Sequence, residues 1–313
     1  MPTTEPAVDW LLGGDPAVAR MARQDLLGEV VDPDGALTSP VVHALLTWSA
    51  PADLPTTAAQ AYRKYSGAHW RLISLVELGL PAGHPQGVDL CGAVLGCWAG
   101  PRRLAQVPVV DGRARRCASQ EGNAVAVACR LGLADDARVR TLVEHLVRWQ
   151  WPDGGWNCDV RPEASHSSFH ETLPPLWGLA EYATRTGDPA ARAAADAAAD
   201  LLLRHEVAFS TRAGDPIEPS FMVGHFPPYW HYDLLQALLV LERAGWGSDP
   251  RTERAHAALT HRRRPDGTWR AARRWWRPLG SSGSGVDVLD WDDVAHQMVT
   301  LNALRVGAGR RQD

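Results

Sequence analysis

Lysine is nearly missing from this sequence: Lys64 stands alone among 32 basic residues. An arginine-biased coding preference accounts for that before any chemistry does. No apolar run reaches the roughly eighteen residues that cross a bilayer, and the opening MPTTEPAVDW has no basic segment leading into an apolar one. A membrane span and a secretory leader are therefore not expected, and a cytoplasmic location is. The formal net charge of -4 leaves no broad cationic face for nucleic acid, which is excluded as a partner. The one Arg-rich stretch, 262–277, is interrupted by Pro265 and Gly267 and reads as a solvated connection. The five cysteines, Cys91, Cys97, Cys117, Cys129 and Cys158, are odd in number and lack the dense spacing of a disulfide scaffold, which fits a reducing compartment.

Strand-like alternation is also scarce, whereas apolar residues recur at helical spacing from His69 to Leu80, Asn123 to Leu133, Leu173 to Ala183, Tyr232 to Ala244 and Val294 to Val306. Between them lie more polar or Ala-rich helical segments, Arg138 to Trp149, Pro189 to His205 and Arg251 to His261. Gly79, Gly132, Gly245 and Gly307 stand where a helix should stop. The spacing, near 53 residues or a little over twice that, predicts one helical hairpin per repeat, greasy helices inside and polar ones outside. The expectation is an all-α fold in one domain spanning residues 1–313.

Two turns repeat as well. Gln150 to Trp156 reads QWPDGGW and Arg264 to Trp269 reads RPDGTW; Asp-Gly supplies a tight turn with positive φ, and the Trp can pack back on the helix end. These turns, with AYRKYSGAHWRLISLVELG near the front, resemble the QW-type repeats of squalene-hopene cyclase and its relatives and of the β subunits of protein prenyltransferases; that segment and FPPYWHYDLLQAL further on also resemble bacterial toroid proteins of the squalene cyclase type. The resemblance spans nearly the whole chain. It implies an α/α toroid, an α6/α6 barrel whose inner helix N-termini surround a deep pocket for a small hydrophobic substrate. Two-domain cyclases place that pocket between two toroids, so a homodimer or partner enzyme is expected to close it here.

The predicted inner helices begin with Ser66, His69 and Trp70; Gln120, Glu121 and Asn123; Ser167, Ser168, His170 and Glu171; Tyr229, His231, Tyr232 and Asp233; and Asp290, Asp292, Asp293 and His296. Polar groups thus gather at one end, some of them as caps. The resemblance singles out Asp290-Trp291-Asp292-Asp293, which matches the Asp-x-Asp-Asp motif of class II terpene cyclases. It implies Asp292 as the acid that protonates an alkene or epoxide, Asp290 and Asp293 tuning it, and His231 as its orienting partner, a place for which His170 and His296 compete. The chemistry requires an undissociated carboxyl in a dry pocket, its pKa raised by neighbouring carboxylates. Three aspartates on one first turn also read simply as charge stabilised by the helix dipole. The GSSGSG stretch just before them is a candidate lid.

Substrate contacts are expected from His69, Trp70, Glu121, Asn123, Phe169, His170, Tyr229, Trp230, Tyr232, Trp291, His296 and Lys64, with Trp156 and Trp177 as further aromatic candidates. Aromatic faces stabilise a carbocation without quenching it. Arg63, Lys64, Arg71 and Arg161 are candidates for an anionic head group. No Gly-rich phosphate loop or Asp-rich magnesium motif occurs, so no cofactor is expected, and magnesium enters only with a diphosphate substrate. The prenyltransferase side of the resemblance implies zinc; the nearest set is Cys158, Asp159 and His231, with His166 and His170 beside it. It departs from the family pattern because Cys158 and Asp159 are adjacent, so zinc is not the expected cofactor. The leading expectation is acid-initiated cyclisation or isomerisation of an isoprenoid or other polyene. The alternatives are a noncatalytic toroid binding a lipid or peptide and a zinc-dependent transferase.

Overall fold

The computed structural model describes residues 5–47 and 54–308. Met1–Thr4, the first part of the segment read for targeting signals, lie outside these residues. The chain is mostly helical, as the apolar periodicity predicts. Its helices are α1 (Pro6–Leu12), α2 (Pro16–Leu27), α3 (Pro40–Thr47), α4 (Ala58–Tyr62), α5 (Ala68–Glu77), α6 (Pro85–Trp98) and α7 (Pro101–Ala105), then α8 (Ser119–Arg130), α9 (Ala137–Trp149), α10 (Phe169–Thr186), α11 (Pro189–Arg204), α12 (Leu234–Arg243), α13 (Glu253–His261) and α14 (Asp292–Ala308). Between α7 and α8 a short antiparallel pair forms from β1 (Val109–Val110) and β2 (Arg113–Ala114). None of the described helices is long and apolar enough to cross a membrane.

Two kinds of helix alternate, and burial separates them. Every residue of α5 is buried, as is α8 from Glu121 to Cys129 and α12 from Leu234 to Leu241. By contrast α9 buries one stripe, Val139, Leu142, Val143, Leu146 and Trp149, and leaves its other face polar. Each all-round buried helix packs on an amphipathic neighbour and on the next buried helix: α5 on α6 and α8, α8 on α9 and α10, α10 on α11 and α12, α12 on α13 and α14, and α14 on α2.

Local sequence sets the boundaries. Asp-Pro pairs open α2 and α11, where Asp15 and Asp188 accept the Ala17 and Ala191 amides and proline fills the first helical position. Gly79, Gly132 and Gly245 adopt positive φ just beyond α5, α8 and α12. Gly307 departs from that cadence: it lies inside α14, which runs on to Ala308. The two Asp-Gly turns are near copies of each other. Gly154 and Gly267 have positive φ; the Trp156 and Trp269 indoles donate to the Leu146 and Leu259 carbonyls, each ten residues back, at 2.9 and 2.8 Å. Their backbone amides donate to the hydroxyls of Thr172 in α10 and Thr300 in α14. One pattern therefore ties the amphipathic helix, the turn and the next buried helix together twice.

The closest helix contact is between α8 and α10. A Cβ on Gly122 would stand 2.3 Å from the Pro175 nitrogen, and one on Gly178 would stand 2.4 Å from the Gly122 carbonyl, so only glycine permits these backbones to touch. Pro174 and Pro175 lie inside α10 and have no N–H to offer the carbonyls of His170 and Glu171 one turn earlier. The first turn of α10 thus rests on contacts with α8 more than on its own ladder.

Candidate functional site

The three aspartates of the Asp-x-Asp-Asp motif face solvent. Asp290 and Asp292 are 62 % and 66 % exposed, and both meet Arg274, with which Asp292 forms a hydrogen-bonded ion pair; Asp293 is exposed as well. A carboxyl open to water and paired with a guanidinium lacks the dry pocket that a carbon-protonating acid requires. The sequence motif marks the exposed start of α14, where acidic residues suit the helix dipole. His296, in the same helix, accepts the Ala271 amide through Nδ1 at 3.1 Å and is half-buried.

His231 is not an acid's partner. Its ring is stacked on Trp275 at 3.9 Å and on Trp230 at 4.1 Å, its Nδ1 is buried without a hydrogen bond among the described residues, and burial, with His225, His170 and Lys64 adding, pushes its pKa down to about 2. One cavity between the buried helices is small. The cavity lined by Asn123, Pro174, Trp177, Tyr229, Trp230 and His231 measures about 30 Å³, room for a water or two and far too little for a folded polyene.

Most of the remaining expected residues do come together, at the N-terminal ends of α5, α8, α10 and α12. Trp70 donates to the Tyr62 carbonyl at 3.0 Å, Trp98 donates to Nδ1 of His69 at 3.2 Å, and Asn123 donates to the Tyr229 carbonyl at 2.9 Å. His170 accepts the Tyr232 amide through Nδ1 at 2.8 Å, which joins α10 to the start of α12. Phe169 packs against Tyr232 and Phe221. Lys64 lies over the Trp230 ring at 4.6 Å, and partial burial lowers its pKa. Burial also holds His69 near 3 and His170 near 4, so with His231 these imidazoles are uncharged at neutral pH. Of the other proposed head-group cations, Arg161 is committed to Asp159 and Arg71 is buried within α5.

Trp291 belongs to this end through Asp287, which the sequence reading missed. Asp287 is 2 % exposed and receives hydrogen bonds from the Tyr229 hydroxyl and, at 3.0 Å, from the Trp291 indole. Burial raises its carboxyl to about 6 despite those bonds. It fastens the chain before α14 onto Tyr229. The GSSGSG segment, the candidate lid, is fastened at its end: Gly285 donates to the Lys64 carbonyl at 2.9 Å, and Tyr65 donates to the Val286 carbonyl at 3.2 Å.

The proposed set Cys158, Asp159 and His231 does not assemble, because Asp159 turns outward to Arg161 and His231 is held between two indoles. Cys158 meets Cys117 and Glu171 instead, and one ligand atom from each of the three lies within 4.8 Å of the others. Arg116 donates its amide to the Asn157 carbonyl at 3.1 Å beside a parallel bridge between Arg115 and Asn157, and this brings the next residues, Cys117 and Cys158, side by side. Glu171, buried in the first turn of α10, accepts the Ser119 amide at 2.9 Å through one carboxylate oxygen and faces Cys158 Sγ at 3.7 Å with the other. A hydrogen bond between the thiols pulls Cys117 below and pushes Cys158 above the usual thiol range. Glu121, fully buried, pairs with Arg116 and, at 3.6 Å, with Arg103, while its second oxygen is without a hydrogen bond among the described residues. Both cysteines are half-buried and border solvent.

Sequence reasoning overlooked Cys117 and gave Glu171 no role. A signal was present: Glu121 and Glu171 are each the third residue of a buried helix, so equal register in adjacent hairpins places them side by side. With this geometry in hand, comparison with known proteins adds no identification: the chain matches no protein-family model, no curated protein and no solved structure.

Proposed function

We propose that the helical hairpins close into an α/α toroid of the terpene cyclase and protein prenyltransferase kind, and that the protein is an enzyme transferring an isoprenoid or comparable apolar group from its diphosphate to a nucleophilic acceptor, with release of diphosphate, at the Cys117, Cys158 and Glu171 centre. The observation that carries this reading is the convergence of two half-buried thiols and a buried carboxyl, from three separate segments, at the helix N-termini. The alternation of all-round buried and one-sided helices supports ring closure. Trp230, Tyr62 and Tyr65 around Lys64 give an apolar wall with one cation, which suits a greasy chain with an anionic head. The cavity of about 30 Å³ beside Trp230 and His231 leaves no room to fold a polyene there, and the solvent-facing Asp292 speaks against acid-initiated cyclisation; both support reaction at the mouth.

The test is product formation from polyprenyl diphosphates supplied with thiol and alcohol acceptors, and from squalene, followed by mass spectrometry. Turnover should fall by about two orders of magnitude or more in Cys117→Ser and persist in Asp292→Asn. Turnover that survives Cys117→Ser and collapses in Asp292→Asn returns the chemistry to the acid motif. Binding of a fluorescent apolar probe without any product makes the protein a noncatalytic toroid.

A further inference from the structure

We infer that Cys117, Cys158 and Glu171 form a zinc site with an open coordination position at the mouth between α8 and α10. The inference rests on that mouth being the reacting centre, but its donor set is read from the geometry and is not the Asp, Cys and His arrangement that the family resemblance implies.

Each donor is held by something other than a metal. Cys158 follows Trp156, which is fixed by its indole bond to the Leu146 carbonyl and by Thr172. The Asn157 side chain donates to the His166 carbonyl at 2.7 Å and accepts the Asp159 amide at 2.9 Å, so the segment bearing Cys158 is braced on both sides. Cys117 is set beside it by the backbone bridge of Arg115 and Arg116 to Asn157. The Ser119 amide holds one oxygen of Glu171 and leaves the other directed at Cys158. Outer contacts of this kind orient metal ligands. Tetrahedral zinc with bonds of about 2.3 Å to sulfur needs ligand atoms about 3.5–3.8 Å apart; the Cys158 to Glu171 distance of 3.7 Å already meets that, and the whole set lies within 4.8 Å.

Charge and softness select the ion. Two thiolates and a carboxylate carry three negative charges, of which a divalent ion offsets two, and the Arg116 and Lys64 cations act on the same cluster. Two sulfurs disfavour magnesium and calcium, which take oxygen ligands. Three protein ligands with a free fourth position are the arrangement of a catalytic rather than a structural zinc. The half-buried thiols give the ion a path in.

The decisive measurement is metal content of the full chain after loading with zinc and exhaustive dialysis, together with the cobalt-substituted spectrum. The expected result is about one equivalent of zinc and thiolate-to-cobalt charge-transfer absorption. Cys117→Ser and Cys158→Ser should each bind zinc at least about a hundredfold more weakly, Glu171→Gln about tenfold or more, and Cys91→Ser, whose sulfur is buried in α6, as wild type. Circular dichroism of each variant separates lost metal from lost fold; if the serine variants unfold, the cobalt spectrum of the wild-type chain decides. Sub-stoichiometric zinc without cobalt-thiolate absorption, retention of zinc by the folded Cys117→Ser, Cys158→Ser double variant, or a Cys117–Cys158 disulfide in freshly isolated protein each overturns the site. A zinc-loaded chain that yields no product leaves the site standing and removes the transfer reading. Cysteine-dependent turnover without metal does the opposite.

Discussion

The two ends of the buried helices are built on different principles. At the C-terminal ends, charges are matched: Glu77 receives Arg243 at 2.8 and 3.1 Å, Arg130 meets Glu181 at 2.8 Å, and Arg305 meets Asp25 at 2.9 Å. Arginines there also suit the negative end of the helix dipole. At the N-terminal ends, thiols, neutral imidazoles and aromatic rings crowd together, and His69, His231 and Glu121 keep buried polar atoms without hydrogen bonds among the described residues. The first end is a network of matched ion pairs suited to holding helices in place, although the buried Nε of Arg20 beside Gly79 has no hydrogen bond among the described residues. The second retains unspent bonding capacity, as a site built to receive a ligand does.

The sharpest way to break this contrast is to unpair the structural end. Glu77→Gln leaves Arg243 buried without its partner and should lower unfolding free energy by about 3–5 kcal/mol in urea titration; a loss under about 1 kcal/mol would show that end to be as loosely made as the other. Acidity separates the ends next. Burial raises Asp287 to about 6, so its contribution is complete below the unfolded carboxylate value and is lost as pH rises through about 6, on the order of 3 kcal/mol in all. For Glu77, burial pushes upward but Arg243 and Arg130 outweigh it and hold the carboxyl below its ordinary value; its contribution is present above the unfolded value and is lost as pH falls. Asp287→Asn should therefore flatten the decline between about pH 4 and 6 and spare the acid-side loss, and an unchanged profile counts against the burial argument. The smallest effect belongs to Asp292→Asn, which removes a solvent-exposed ion pair and should shift stability by less than about 0.5 kcal/mol.

Much of the helical plan was legible in the sequence, because burial on all sides or on one stripe writes itself into apolar spacing. Where helices break the usual rules it was not. Apolar spacing marked α10 only from Leu173, and its polar first turn at Ser167 to Glu171 agrees with a helix that begins at Phe169; what no pattern recorded is that it runs through Pro174 and Pro175, where packing on α8 replaces the bonds proline forfeits. Helix α6 escaped notice because Gly87, Gly92 and Gly96 dilute its periodicity. At the site, the gathering of polar residues at helix N-termini was readable, but which of them turn inward was not. Asp292 and Glu171 both lie in a first turn; one meets Arg274 in solvent and the other is buried against α8. The pairing of Cys117 with Cys158 depends on a backbone bridge between Arg115 and Asn157, 42 positions apart, which no local pattern records.

The duplicated tryptophan fastening has a consequence for how such a chain can lengthen. Because the indole reaches back into the amphipathic helix before it and the amide reaches forward to the threonine of the very next buried helix, a tandem copy of the segment arrives with its closure already encoded. Growth by duplication then requires no new lock, only a neighbour on which to stack.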